Sequence, residues 1–179
     1  MGRLDACLSC ILQELGSVTH VIVTPTLPLT MPSALLLTHN ALRWVILVAG
    51  VMAVVRAVQG LKGDRPYAPA RRAGVLFMVS LHVQLLTGLV LFVVSPFVHQ
   101  AMADMKATMA DGATRFFIAE HPTLMVIAVI VMTVGSIVAK SAPDDAARHR
   151  KLLVFSAVTL LLLLVGIPWQ RALVPGMGN

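Results

Sequence analysis

The chain has 179 residues, of which 58% are hydrophobic and 12% are charged, and its mean hydropathy is +0.86. These values exclude an ordinary soluble globular domain and indicate an integral membrane protein. The net charge of +6 does not indicate nucleic-acid binding, because the basic residues lie in short loops between apolar runs, where membrane topology explains them.

The first 32 residues fit neither a membrane span nor a signal peptide. They contain polar residues and three prolines, and they lack a clean apolar region followed by a small-residue cleavage site. We predict a flexible N-terminal extension, and Met31 offers an alternative start of translation. Cys7 and Cys10 form a lone C-x-x-C in this extension. Without a second pair, or a histidine directly after Cys10, we interpret them as incidental thiols.

Four apolar runs are long enough to cross a bilayer core, which needs roughly 20 residues. They cover about residues 34–59, 73–95, 116–139 and 152–167, and we call them spans one to four. We therefore predict that residues 33–179 form an all-α, integral membrane, up-down four-helix bundle.

The loops between the spans differ in charge. Loops 60–72 and 140–151 each contain four basic residues, whereas the second loop contains two basic and two acidic residues between spans two and three. By the positive-inside rule, the first and third loops are cytoplasmic. Both termini and the second loop are then expected to face outward.

Span one contains a histidine and an arginine one helical turn apart, His39 and Arg43. Such residues are costly inside a membrane helix, so each needs a partner or a function. Small side chains allow a neighbouring helix, or a flat cofactor, to approach the backbone closely. The polar pair continues into a helical stripe of mostly small residues, formed by Ile46, Gly50, Ala53, Ala57 and Gly60.

Span two carries His82 near the middle of the membrane. Ser80, Gln84, Thr87 and Gly88 form a second polar stripe on roughly the opposite side of this helix. A helix with two polar faces suits a position between neighbouring helices. The Gln84 stripe is most simply explained by interhelical hydrogen bonds.

Glu120 and His121 enter span three from the predicted outer side. At 1.5 Å per residue, His39 and His121 each lie roughly 8 Å below the outer boundary, and His82 lies roughly 20 Å below it. Spans one and three are diagonal partners in an up-down bundle. His39 and His121 are therefore expected to face each other at one level.

Two level histidines on diagonal helices are the arrangement that a b-type haem needs for its two axial imidazoles. We predict His39 and His121 as metal ligands, and Arg43 as the partner of a haem propionate. Glu120 is expected either to pair with Arg43 or to accept a ring N–H from a histidine. His82 is expected to pack or to relay protons, although its pairing with His39 or His121 stays open.

The remaining polar residues near the boundaries have simpler interpretations. We expect His99 and His149 to be solvated in their loops. Trp44, Trp169 and Arg171 are interpreted as parts of an interfacial belt, because tryptophan is enriched at membrane–water boundaries.

The motifs HNALRW, SLHVQLLTGLVLFVVSP, FFIAEHPTLMVIA and IPW follow one another through the four spans. As a set they resemble a group of small bacterial four-span membrane proteins, often labelled cytochrome b or uncharacterised. The likeness covers about residues 35–169 and implies a multi-pass protein of a bacterial inner membrane. The residues that match the group's pattern are His39, Arg43, Trp44, His82, Gln84, Glu120, His121, Pro168 and Trp169.

Three functional hypotheses follow. The first is a b-type cytochrome-like protein that holds one haem b near the outer face and transfers electrons, with quinone as a candidate partner. The second is a haem-free membrane subunit or assembly factor of a larger respiratory complex, in which His39, Arg43, Glu120 and His121 fix helix pairing. The third is proton movement through His82 and Glu120. The sequence favours an electron-transfer or accessory protein in the lipid bilayer over a stand-alone enzyme.

Overall fold

The computed structural model describes residues 31–169, and these residues contain no β-strand. Four long helices correspond to spans one to four, so the predicted all-α bundle is confirmed. Residues 1–30 of the predicted extension, with Cys7 and Cys10, lie outside the described residues, as does Arg171. The helices are α1 (Met31–Gly63), α2 (Ala68–Val94), α3 (Pro96–Ala103), α4 (Met105–Ala110), α5 (Gly112–Arg115), α6 (His121–Lys140) and α7 (Asp145–Gly166), and a π-helical turn (Phe116–Glu120) precedes α6.

Four helical segments are long and apolar enough to cross a membrane. They are Ser33–Gly63, Ala68–Val94, Gly112–Lys140 and Asp145–Gly166. Only 17–33% of the most apolar window in each segment is buried inside the chain, so most of the apolar surface faces outward. A bilayer can cover surfaces of this size and composition, and the chain is accordingly a multi-pass membrane protein.

The long helices continue beyond the apolar runs into charged sequence. α1 ends at Gly63, where Asp64 adopts a left-handed φ of 45° and turns the chain toward α2. α7 begins at Asp145, because the Asp144 carboxylate accepts the backbone N–H of Ala147 at 2.7 Å and caps the helix. Hydropathy does not identify these charged ends of the helices, because Lys and Arg have high helix propensity but are not apolar.

The four long helices pack as a ring in the order α1, α2, α6, α7. α1 packs mainly against α2 and α7, and α6 packs against α7 and α2. Short connections at residues 64–67 and 141–144 make the joined helices antiparallel. α1 and α6 are thus diagonal partners, as an up-down bundle predicts.

Each buried glycine of the bundle lies against a large side chain of a neighbouring helix. An added Cβ at Gly50 would lie 2.7 Å from Leu160 Cδ2, and one at Gly74 would lie 2.7 Å from Leu152 Cδ1. Phe155 fills the space at Gly135 in the same way. Such interlocking supplies the van der Waals contact that holds membrane helices together, since lipid removes most of the hydrophobic drive.

A wide turn introduces α6. In the π-helical turn, the backbone N–H of His121 bonds to the carbonyl of Phe116, five residues earlier. Pro122 follows directly. Its ring has no N–H and would collide with a carbonyl four residues earlier in a regular α-helix, so the wider turn accommodates it.

Candidate functional site

We call the end of the bundle that contains the start of α1 and residues 95–120 the histidine end, and the opposite end, with the 64–67 and 141–144 connections, the basic end. At the histidine end, the His39 and His121 rings lie with their centroids 6.4 Å apart and their planes at 73°. The helical rise of 1.5 Å per residue predicts that His39 and His121 lie at the same level. The structure places the two rings beside each other.

His121 has a defined hydrogen-bond partner. Its Nδ1 lies 2.7 Å from the carbonyl oxygen of Gly166 at the end of α7. Because a carbonyl oxygen can only accept, Nδ1 must donate and therefore carries the proton. The neutral ring then keeps its lone pair on Nε2, and the carbonyl fixes the orientation of the ring, as it does for metal-bound histidines.

His39 is held through its backbone and its ring face. The Gln84 side-chain Nε2 on α2 donates to the His39 carbonyl oxygen at 3.0 Å. An added Cβ at Gly88 would lie 3.1 Å from His39 Cε1, so the imidazole rests on this glycine. The Nδ1 atom of His39 is buried and has no hydrogen-bond partner in the described part of the chain. An orphaned buried nitrogen costs free energy unless a ligand satisfies it.

Arg43 adds a buried charge to the same site. It lies one helical turn below His39 and is only 9% exposed. His39, Arg43, Gln84, His121 and Gly166 together form what we call the paired-histidine cluster, to which all four long helices contribute.

Glu120 does not join this cluster. Its Oε1 accepts Arg115 Nε at 2.8 Å, and both side chains are close to half exposed. The expected hydrogen bonds to Arg43 or to a histidine ring are therefore not the ones observed. The reason is local: Glu120 closes the π-helical turn, which places it beside Arg115, five residues earlier.

His82 also lies apart from the pair. Its side chain is exposed on the outer surface of α2, where Nδ1 donates to the Met78 carbonyl at 2.8 Å. Its Nε2 lies 3.5 Å from Thr133 Oγ1 on α6, a contact at the limit of a hydrogen bond. Gln84 makes a hydrogen bond to α1 of the interhelical kind predicted for its stripe, but the His82 face is exposed and is not wedged between helices.

Other predicted boundary residues lie at the surface. His99 is exposed and bonds to the Val93 carbonyl at 2.8 Å. Trp44 and Trp169 are 42% and 46% exposed, which suits the predicted interfacial belt.

His149 contradicts the prediction that it is solvated. It is only 2% exposed, and its ring lies edge-on to Tyr67 with centroids 5.3 Å apart. Its Nε2 donates to the Arg65 carbonyl at 3.0 Å. Burial raises the pKa of the Tyr67 phenol. The sequence signal for this burial is slight: Gly60 ends the small-residue stripe at the same level.

Within residues 31–169, no group of three or more His, Cys, Asp or Glu side chains converges in a way that could hold a metal ion. Comparison of the chain with protein-family models, with curated proteins and with solved structures finds no match. What the paired-histidine cluster does must therefore be inferred from its geometry.

Proposed function

We propose that the chain is a membrane b-type cytochrome-like protein in which His39 and His121 hold one haem at the histidine end for electron transfer. The distance between the two rings carries this proposal. Two imidazoles that hold one iron would need ring centroids roughly 6 Å apart, because each metal–nitrogen bond is about 2 Å long. The observed 6.4 Å agrees with that separation.

The hydrogen bonds around the pair support the same assignment. The Gly166 carbonyl leaves His121 Nε2 available as a ligand and raises its basicity. Coordination through Nδ1 would also satisfy the one buried His39 nitrogen that has no partner in the described residues. Arg43 supplies a buried positive charge one turn away, which suits a propionate.

Packing limits where a haem can lie. Below the pair, the small-residue stripe of α1 is covered by Phe77, Leu160 and His149, so neighbouring helices fill that space. The residues that would hold a haem are therefore His39, His121 and Arg43 at the histidine end. Bound haem supplies one-electron chemistry, and the protein's part is to orient the two imidazoles and to stabilise the propionate charge.

The visible spectrum tests this proposal directly. Full-length protein, produced with haem available, should show a reduced-minus-oxidised α band, and His39→Ala and His121→Ala should each abolish it. His99→Ala is the matched control, because it removes an exposed histidine at the same end of the bundle. A colourless wild type, or a band that persists in both pair variants, would show the proposal to be wrong.

The orientation and the electron partner are also proposals. We infer that the basic end is cytoplasmic, because eight of the basic residues lie at or near that end. The bacterial inner membrane is proposed on the resemblance of the four span motifs alone. In a Cys7→Ser/Cys10→Ser background, Lys106→Cys should react with a membrane-impermeant maleimide added outside, and Lys151→Cys should not.

A quinone is the proposed electron partner, since it reaches the haem from within the bilayer. Reduction of the haem by an added quinol, followed by the α band, tests this partner.

The position of His82 favours a second candidate function, a haem-free subunit or assembly factor of a larger respiratory complex. An imidazole exposed at mid-membrane is costly against lipid, so a partner helix would be a better neighbour. In this case the paired-histidine cluster only ties α1 to α2 and α6 to α7. Colourless protein that co-purifies with larger subunits, and loses them in His82→Leu but not in Val83→Leu, would support this function.

A further inference from the structure

A groove lies between α2 and α6 at the basic end, and it opens away from the core of the bundle. Its volume is about 260 Å³, and its lining includes Tyr67, Arg71, Val75, Ser136, Ile137 and Lys140. Arg71 lies in the first turn of α2, and Lys140 is the last residue of α6. The groove thus has two cations at its mouth and apolar side chains farther along the spans.

The two cations are available to an anion. Arg71 and Lys140 are exposed, and within residues 31–169 neither makes an ion pair. The nearby Asp145 carboxylate is already used, since it accepts the Tyr67 backbone N–H at 3.0 Å and pairs with Arg148 at 2.9 Å. The mouth of the groove is therefore positively charged.

The inner part of the groove suits a hydrocarbon chain. Val75 and Ile137, on the two candidate spans, are 38% and 62% exposed and face the region that lipid tails occupy. Ser136 Oγ is buried there without a hydrogen-bond partner in the described chain. The groove's volume of about 260 Å³ lies below the roughly 300–1,000 Å³ of small-molecule pockets, so the groove is small for a drug-sized ligand.

We propose that this groove binds one anionic phospholipid, with its phosphate between Arg71 and Lys140 and one acyl chain along Val75 and Ile137. Basic pockets between membrane helices commonly bind anionic head groups. The two cations favour an anionic lipid over a neutral one. The apolar lining favours a lipid over a soluble anion. The site is independent of the paired-histidine cluster, which lies at the other end of the bundle.

Native mass spectrometry of the full chain in detergent, titrated with phosphatidylglycerol or phosphatidylcholine, tests the proposal. The wild type should retain one phosphatidylglycerol in preference to phosphatidylcholine. Removing both charges in Arg71→Gln/Lys140→Gln should weaken phosphatidylglycerol binding about 25-fold, at about fivefold for each charge. The matched control Lys62→Gln/Arg72→Gln removes two exposed cations from the same end, outside the groove, and should change binding less than about twofold.

Equal losses in the two double variants would show a diffuse charge effect and overturn the proposal, as would no loss in either. Competition on the wild type adds a test that needs no variant. Glycerol 3-phosphate, which carries the charge without acyl chains, should displace phosphatidylglycerol poorly. If it competes as well as the lipid does, the groove binds a soluble anion and the phospholipid assignment is wrong.

Discussion

The imidazole of His149 on α7 occupies the space that a side chain at residue 60 on α1 would need. A Cβ added to Gly60 would overlap the His149 ring. The same ring contacts Tyr67 and bonds to the Arg65 carbonyl, both in the connection between α1 and α2. One buried histidine therefore joins three elements at the basic end of the bundle.

Gly60→Ala should destabilise the bundle by about 1–3 kcal/mol, because the added methyl group must displace a packed ring. The free energy of unfolding can be measured by SDS titration of the detergent-solubilised chain. Gly112→Ala is the control, since a Cβ there meets no atom within 4 Å. In a His149→Ala background, Gly60→Ala should lower the free energy of unfolding by less than it does in the wild type. Strictly additive losses would mean that the two residues do not compete for space.

Gln84→Leu should reduce stability by about 0.6 kcal/mol, the average for hydrogen bonds between membrane helices. The variant removes the bond from Gln84 Nε2 to the His39 carbonyl, but it also removes a buried Oε1 that has no partner in the described chain, which keeps the loss small. Thr87→Val is the control, because within residues 31–169 the Thr87 hydroxyl bonds to the Val83 carbonyl of its own helix. A larger loss in Thr87→Val, again by SDS titration, would contradict the assigned contact.

Gly88→Ala should lower haem affinity about tenfold, the lower limit for disturbing the surroundings of a metal ligand. The added Cβ would lie 3.1 Å from His39 Cε1 and push the ring from its position. Titration of the apo-protein with haem, followed in the visible spectrum, measures the effect. Thr87→Ala, one residue away, should bind haem like the wild type. Unchanged affinity in Gly88→Ala would mean that His39 is not a ligand in the observed position.

Glu120→Gln should change stability by less than about 1 kcal/mol and leave any haem spectrum unchanged. Its ion pair with Arg115 is close to half exposed, and such pairs contribute little. Thermal unfolding and the visible spectrum of one preparation provide both readouts. A shifted α band in Glu120→Gln, with Arg115→Gln silent, would instead place the carboxylate at the haem.

Most of the fold could be predicted from the sequence because the relevant signals are periodic and long. The four apolar runs indicate the spans, and the short loops indicate antiparallel neighbours. The rise per residue then places His39 and His121 at one level, where the structure shows their rings 6.4 Å apart. These predictions depend on counting along single helices.

The errors concern contacts between distant parts of the chain. His149 lies among charged residues and was expected in water, but its burial depends on the space beside Gly60, 89 positions earlier. Glu120 is expected beside Arg43 or a histidine ring, but an irregular turn places it beside Arg115. The glycine stripes alone do not show whether a helix or a flat cofactor packs against them. Below the cluster, side chains such as Phe155 and Leu160 pack against these glycines, so a neighbouring helix fills the space there.

The fit of each buried glycine to the large side chains opposite it restricts how this sequence can change over time. A gain of volume at Gly74 or Gly135 requires a loss at Leu152 or Phe155, and a gain at Gly50 requires a loss at both Leu160 and Phe77, so these positions cannot change alone. We expect related chains to show correlated exchanges at these positions, with the summed volume of each pair preserved. Positions on the outward faces, such as Val48 and Val93, should vary independently among apolar residues.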